Sequence, residues 1–143
     1  MWCSPVRYLV ALTLILTPLA LEAQPGGQVR RIGFLALGSR AIISTSPRFE
    51  AFKQALRELG WVEGQNLVME SRYAEGRAEH LPDLAADLVS LPVEVMVVAG
   101  GYQAIRAAQH ATRTVPSVGV IMADPVRDGL VASLARPGGI PRE

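Results

Sequence analysis

Hydroxyl groups crowd one short stretch of this 143-residue chain. Residues 38–46 read as a loop, GSRAIISTS, which sets Ser39, Ser44, Thr45 and Ser46 just ahead of a helical pattern, where they can donate or accept hydrogen bonds. The stretch contains no G-x-G-x-x-G, and no G-x-x-x-x-G-K-[ST] occurs in the chain, so a dinucleotide fingerprint and a P-loop are both excluded. Gly100-Gly101-Tyr102 is the second place of interest. Glycine lets a ligand approach the backbone, and a helix starting there offers free N–H groups and the positive end of its dipole. A carboxylate or a phosphate suits that position; a simple tight turn uses the same glycines. The third place is Asp124-Pro125-Val126. Asp124 suits a helix N-cap with proline at the first helical position, and it can also face a ligand ammonium.

Residue types that do covalent or metal chemistry are not grouped. His80 and His110 have no cysteine, aspartate or second histidine at ligand spacing. Glu58, Glu63, Glu70, Glu75 and Glu79 form no acid/base pair, and no G-x-S-x-G accompanies a histidine and an aspartate. Trp61, directly after Gly60, reads as a packing residue. The single cysteine, Cys3, gives neither a disulfide nor a thiolate cluster. These residues call for no catalytic site, no metal and no cofactor. With 14 Lys+Arg against 13 Asp+Glu, the net charge is +1, which excludes a binder held to nucleic acid by a basic face.

Half of the chain is apolar, and the excess lies at the start. Arg7 precedes an uncharged run over residues 8–21, broken late by Pro18 and followed by Glu22-Ala23-Gln24. As a helix that run would rise about 21 Å, short of the roughly 30 Å hydrocarbon core. A basic start, a short apolar stretch and a small residue before Gln24 predict a secretory signal peptide over residues 1–23, cleaved after Ala23. An uncleaved anchor is the alternative. Cys3 precedes the apolar run, so it is badly placed for lipid attachment at a cleavage site. Residues 24–30, QPGGQVR, read as a short leader.

The remainder repeats one pattern, in which apolar runs of strand length alternate with amphipathic helices. Residues 31–37 are nearly continuously apolar, as in a strand buried on both faces of a parallel sheet. Ser46-Pro47 then opens a helix carrying Phe49, Phe52, Leu56 and Leu59, closed by Gly60. Residues 67–73 alternate, with Glu70 and Arg72 opposite Leu67, Met69, Ser71 and Tyr73, which predicts a half-buried edge strand. Leu81, Leu84, Ala85, Leu88 and Val89 make the second helix. Residues 92–99 give a third strand, 102–111 a third helix and 116–122 a fourth strand. A last helix, opened at residues 123–125, carries Leu130, Val131 and Leu134.

Strict alternation implies right-handed crossovers and a doubly wound parallel α/β sheet. With the alternating strand at an edge, the order is 2-1-3-4, as in flavodoxin-like sheets. Ligands of such sheets bind beyond the carboxyl ends of the strands, where the chain reverses direction. The expected binding wall is therefore Ser44, Thr45, Ser46, Gly100, Gly101, Tyr102, Asp124, Pro125 and Val126.

The run FEAFKQALRELGWVEGQN over residues 49–66 resembles a segment of ABC-transporter substrate-binding proteins of the tryptophan/tyrosine-binding type. RYAEG at 72–76, LPDLAADLV at 81–89 and DPVRDGLVASLARPGG at 124–139 extend the resemblance over nearly all of residues 30–139. It implies the first lobe of a type I periplasmic binding protein over residues 31–139. Such a protein is an extracytoplasmic receptor, periplasmic or secreted. It closes two lobes on a small solute, often an aromatic amino acid, and hands it to an ABC permease; it is not an enzyme. After Gly100-Gly101 the resembled proteins usually have Thr and then Pro, where this chain has Tyr102-Gln103. Residues 140–143 depart from the pattern, so the resemblance leads us to expect an aberrant tail and an absent second lobe, as in a truncated or frame-shifted product with impaired binding. A stand-alone secreted flavodoxin-like domain with an enzymatic or regulatory role, and a gene fragment without function, are the alternative readings. Export without any catalytic constellation weighs against the first of these.

Overall fold

A computed structural model describes residues 28–120, 126–131, 133 and 135. The segment read as a signal peptide, most of the leader, residues 121–125 and residues 136–143 lie outside the described residues. In chain order the elements are β1 (Arg30–Ala36), α1 (Arg40–Ser44), α2 (Pro47–Glu58), β2 (Leu67–Tyr73), a 3-10 turn (Ala78–His80), α3 (Leu81–Ser90), β3 (Val95–Ala99), α4 (Gly101–Ala111) and β4 (Ser117–Val120). The four strands form one parallel sheet in the order β2-β1-β3-β4, as the sequence pattern predicts. The alternating strand β2 is an edge, and among the described residues β4 is the other.

Side chains leave the sheet in two sets. Leu35, Met96 and Val98 point to the face covered by α3 and α4, where Leu81, Ala85, Leu88, Ala104, Ile105, Ala107 and Ala108 complete a dense cluster. Phe34, Ala36, Val97 and Ala99 point to the opposite face, where Ile43 of α1 and Phe49 and Phe52 of α2 pack on them. Phe34 anchors that side, its ring 5.0 Å from Phe49 edge-on and 6.2 Å from Tyr73. Ion pairs join neighbouring elements: Arg31 of β1 reaches Glu70 of β2 at 2.6 Å, and Arg72 of β2 pairs with Asp87 of α3.

Three expectations need correction. Residues 38–46 are not all loop, because Arg40–Ser44 forms the short helix α1, with Ser39 as its N-cap. The last helix is not present over residues 126–131, where the chain makes a turn closed by Gly129 N–H donating to the Val126 carbonyl at 3.0 Å. Gly129 has φ +67, a left-handed backbone that ends a right-handed helix; Leu134 lies outside the described residues. The third strand is also shorter than its apolar run. Val93 N–H bonds locally to Leu91, and Glu94 N–H is the first to reach β1, at the Arg31 carbonyl. Pro92 before it has no N–H to give.

Candidate functional site

β1 and β3 are parallel neighbours and end at the same rim of the sheet. After β1 the chain turns to the α1–α2 face, and after β3 it turns to the α3–α4 face, so the two loops separate across the rim. At their root they are joined, with Leu37 N–H donating to the Ala99 carbonyl at 2.9 Å. Gly100 makes this seam possible. Its φ is +145, and a Cβ there would lie 2.6 Å from Leu37 Cβ and 3.0 Å from Leu37 N. Any side chain at this position would push the seam apart. Gly100 is also the N-cap of α4 and gives it no side-chain cap. The first-turn N–H groups of α4, starting at Gly101, are therefore suited to an external anion such as a carboxylate.

The hydroxyls of the first loop are divided between local structure and the surface. Thr45 Oγ1 donates to the Ala41 carbonyl at 2.8 Å, closing α1. Ser46 Oγ accepts from Phe49 N–H at 3.2 Å and so caps α2. Ser44 lines an open depression of about 560 Å³ beside the free edge of β2, together with Arg40, Phe49, Lys53 and Tyr73. Tyr102 is 43% exposed. The Arg106 guanidinium stands over its ring at 5.6 Å. Tyr102 lines a different depression of about 480 Å³ with Ala78, Leu81, Pro82 and His110.

The predicted wall is thus brought together in part. The loops carrying Ser44–Ser46 and Gly100–Tyr102 share the rim and meet at the Leu37–Gly100 seam, but Ser44 and Tyr102 line separate depressions on either side of it. Asp124 and Pro125 lie outside the described residues. Val126 begins an exposed turn whose Leu130 is buried in the α3–α4 cluster. Among the described residues, no three His, Cys, Asp or Glu side chains gather to hold a metal ion. The rim offers hydrogen-bond donors and hydroxyls, which suits reversible binding of a small polar molecule.

One contact at this rim was not foreseen from the sequence. Glu75, just past the end of β2, accepts a hydrogen bond from Arg40 N–H at 3.1 Å. The Arg40 guanidinium lies over the Tyr73 ring at 5.3 Å. The only local signal was the Glu75-Gly76 turn after a strand.

Comparison with known proteins sets this geometry in context. No protein-family model matches the chain. A tyrosine-binding protein of Clostridioides difficile is 30% identical over 90 residues, 63% of this chain and 26% of that protein. The ligand-free, open structure of a substrate-binding protein with adhesive properties from Clostridium difficile matches with TM-score 0.68 and 25% identity, over 77% of this chain and 36% of that one. A Streptococcus ABC domain solved in complex with L-Trp shares the fold, with TM-score 0.67 and 22% identity over 78% of this chain. These comparisons bear out the likeness to substrate-binding proteins, which are not enzymes. The chain spans about a quarter of the length of the curated relative and about a third of the solved chains.

Proposed function

We propose that this chain, similar as it is to substrate-binding proteins, supplies one wall of a solute-binding cleft at the carboxyl ends of β1 and β3. The solute is a small molecule with a carboxylate, and an aromatic amino acid is the class we favour. The observation that carries this reading is the Leu37–Gly100 seam. Only glycine permits it, and it sets the start of α4, whose N-cap Gly100 has no side chain to cap it, beside the hydroxyl-bearing loop. The α4 N–H groups hold the carboxylate, and Ser44 and Ser46 of the first loop supply further polar contacts. From the sequence we also assign Asp124, with Pro125 and Val126, to this wall, with the Asp124 carboxylate as the partner of the solute's ammonium group. The tyrosine bound by the curated relative and the L-Trp held by the Streptococcus domain support the choice of ligand class.

The wider role that fits is the extracytoplasmic receptor of an ABC importer, exported by the segment 1–23 and handing its solute to a membrane permease. Receptors of this kind enclose the solute by closing two lobes on a hinge, and most of a small ligand's surface is normally buried in its site. The wall at the ends of β1 and β3 covers one side of the solute, and contact on the other side adds to burial at roughly 25 cal/mol per Å² of apolar area. For about 100 Å² this is roughly 2.5 kcal/mol, more than tenfold in affinity.

Calorimetric titration of the chain with L-tyrosine, L-tryptophan and L-lysine tests the proposal. The expected result is binding of the two aromatic amino acids, with L-lysine weaker because it offers the same carboxylate and ammonium without an aromatic ring. Equal heats for all three, or no heat for any of them, would contradict it.

A further inference from the structure

We infer that Glu75 is a positioning residue for the first rim loop, holding α1 and the Ser44–Ser46 hydroxyls against the end of the sheet. This rests on the reading of the rim as the solute-binding wall. Among the described residues Glu75 is the one non-glycine with positive φ, at +53. Its neighbour Gly76 has φ +80, so two left-handed residues follow one another. Glycine adopts this conformation freely, whereas a side chain with a Cβ is strained in it, and glutamate is not one of the residues that visit it routinely. The backbone alone would be better served by glycine at position 75.

The side chain has a partner that accounts for it. Ala74 N–H donates to the Ala36 carbonyl at 2.8 Å, and Gly76 N–H donates to the Leu37 carbonyl at 2.7 Å, pinning the turn to the end of β1 on both sides of Glu75. From that fixed base Oε1 of Glu75 accepts from Arg40 N–H at 3.1 Å. Arg40 is the first residue of α1, and its N–H has no partner within the helix. The same residue is held a second time, by its guanidinium over the Tyr73 ring. The remaining attachments of α1 are few. None of its residues is buried, its Ser39 cap is long at 3.4 Å, and Ile43 is its contribution to the Phe34 cluster. The end of β2 thus sets where α1 sits, and α1 leads directly into Thr45 and Ser46.

The test compares Glu75→Gly with Glu75→Gln by NMR-detected solvent exchange of the backbone amides of residues 40–44, beside thermal melts and titration with L-tyrosine. Loss of one such hydrogen bond corresponds to about fivefold faster exchange. Glu75→Gly is expected to show that acceleration over residues 40–44 with a melting temperature equal to or above that of the unaltered chain. Glu75→Gln, which keeps the acceptor oxygen, is expected to retain the original exchange within about twofold. L-tyrosine binding is expected to weaken in Glu75→Gly and to be restored in Glu75→Gln, because the tethered hydroxyls belong to the proposed wall. Unchanged exchange in Glu75→Gly, or equal acceleration in both variants, overturns the inference. Equal L-tyrosine affinity in the unaltered chain and Glu75→Gly also overturns it while leaving the binding reading intact. Absence of any L-tyrosine response in the unaltered chain removes the binding reading, and the exchange contrast then decides the tether by itself.

Discussion

The two faces of the sheet are built to different standards. On the α3–α4 face, Leu35, Leu81, Leu88, Met96 and Val98 are all under 2% exposed, and small residues of α4 let that helix lie close to the strands. On the α1–α2 face neither helix contributes a buried residue. Phe49 and Phe52 are half-buried over Phe34, Leu59 is 76% exposed, and Val118, beside Val97 in register, is 52% exposed. The rim inherits this contrast. Gly100 and Gly101 stand on the close-packed side, whereas Ser44–Ser46 stand on the thinly covered side. One half of the proposed cleft is therefore fixed by packing and the other by a few hydrogen bonds. Local stability varies across a fold in this way, and ligand-binding segments are drawn from its weaker end.

Removing a side chain from the dense face should have the largest effect. Leu88→Ala empties space at the centre of the cluster and should cost about 2–5 kcal/mol of folding stability, read by denaturant titration. An effect below about 1 kcal/mol would show that the face is looser than its burial implies. Gly100→Ala probes the seam between the faces. With a Cβ only 2.6 Å from Leu37 Cβ, it should destabilise, by about 1–3 kcal/mol as for overpacking, and should disturb the amide signals of residues 36–38. At the other extreme, Leu59→Ser on the thin face should change stability by less than about 0.5 kcal/mol, because its side chain already meets water. A clear loss there would mean that the α2 end is covered in solution.

The strands and the order of the sheet were readable from the sequence because they follow from burial. Continuous apolar runs belong to β1 and β3, and the alternation of residues 67–73 marks β2 as an edge with identical bounds in sequence and structure. α2 was equally plain, since Ser46-Pro47 and the spacing of its phenylalanines are local signals, and the structure places its N-cap at Ser46. A local pattern is not a measure of packing, however, and the most legible helix turns out to bury nothing fully. α1 escaped because five residues without a buried member leave no periodic stripe. The expected last helix failed at Gly129, where the Leu130-Val131 pattern is interrupted by a left-handed backbone. Glu75 was invisible as a contact because its partner Arg40 lies 35 residues earlier, and pairings of that range are set by topology.

The central claim is that a small carboxylate-bearing solute is held at the rim where β1 and β3 end. Titrating the isotopically labelled chain with L-tyrosine while following every backbone amide tests it most directly. The account predicts shifts that saturate and are concentrated in residues 37–46 and 100–102, largest at the Gly101 and Tyr102 amides. Shifts concentrated instead along residues 69–73 and Lys53, beside the free edge of β2, would place the ligand in the lateral depression and contradict the account.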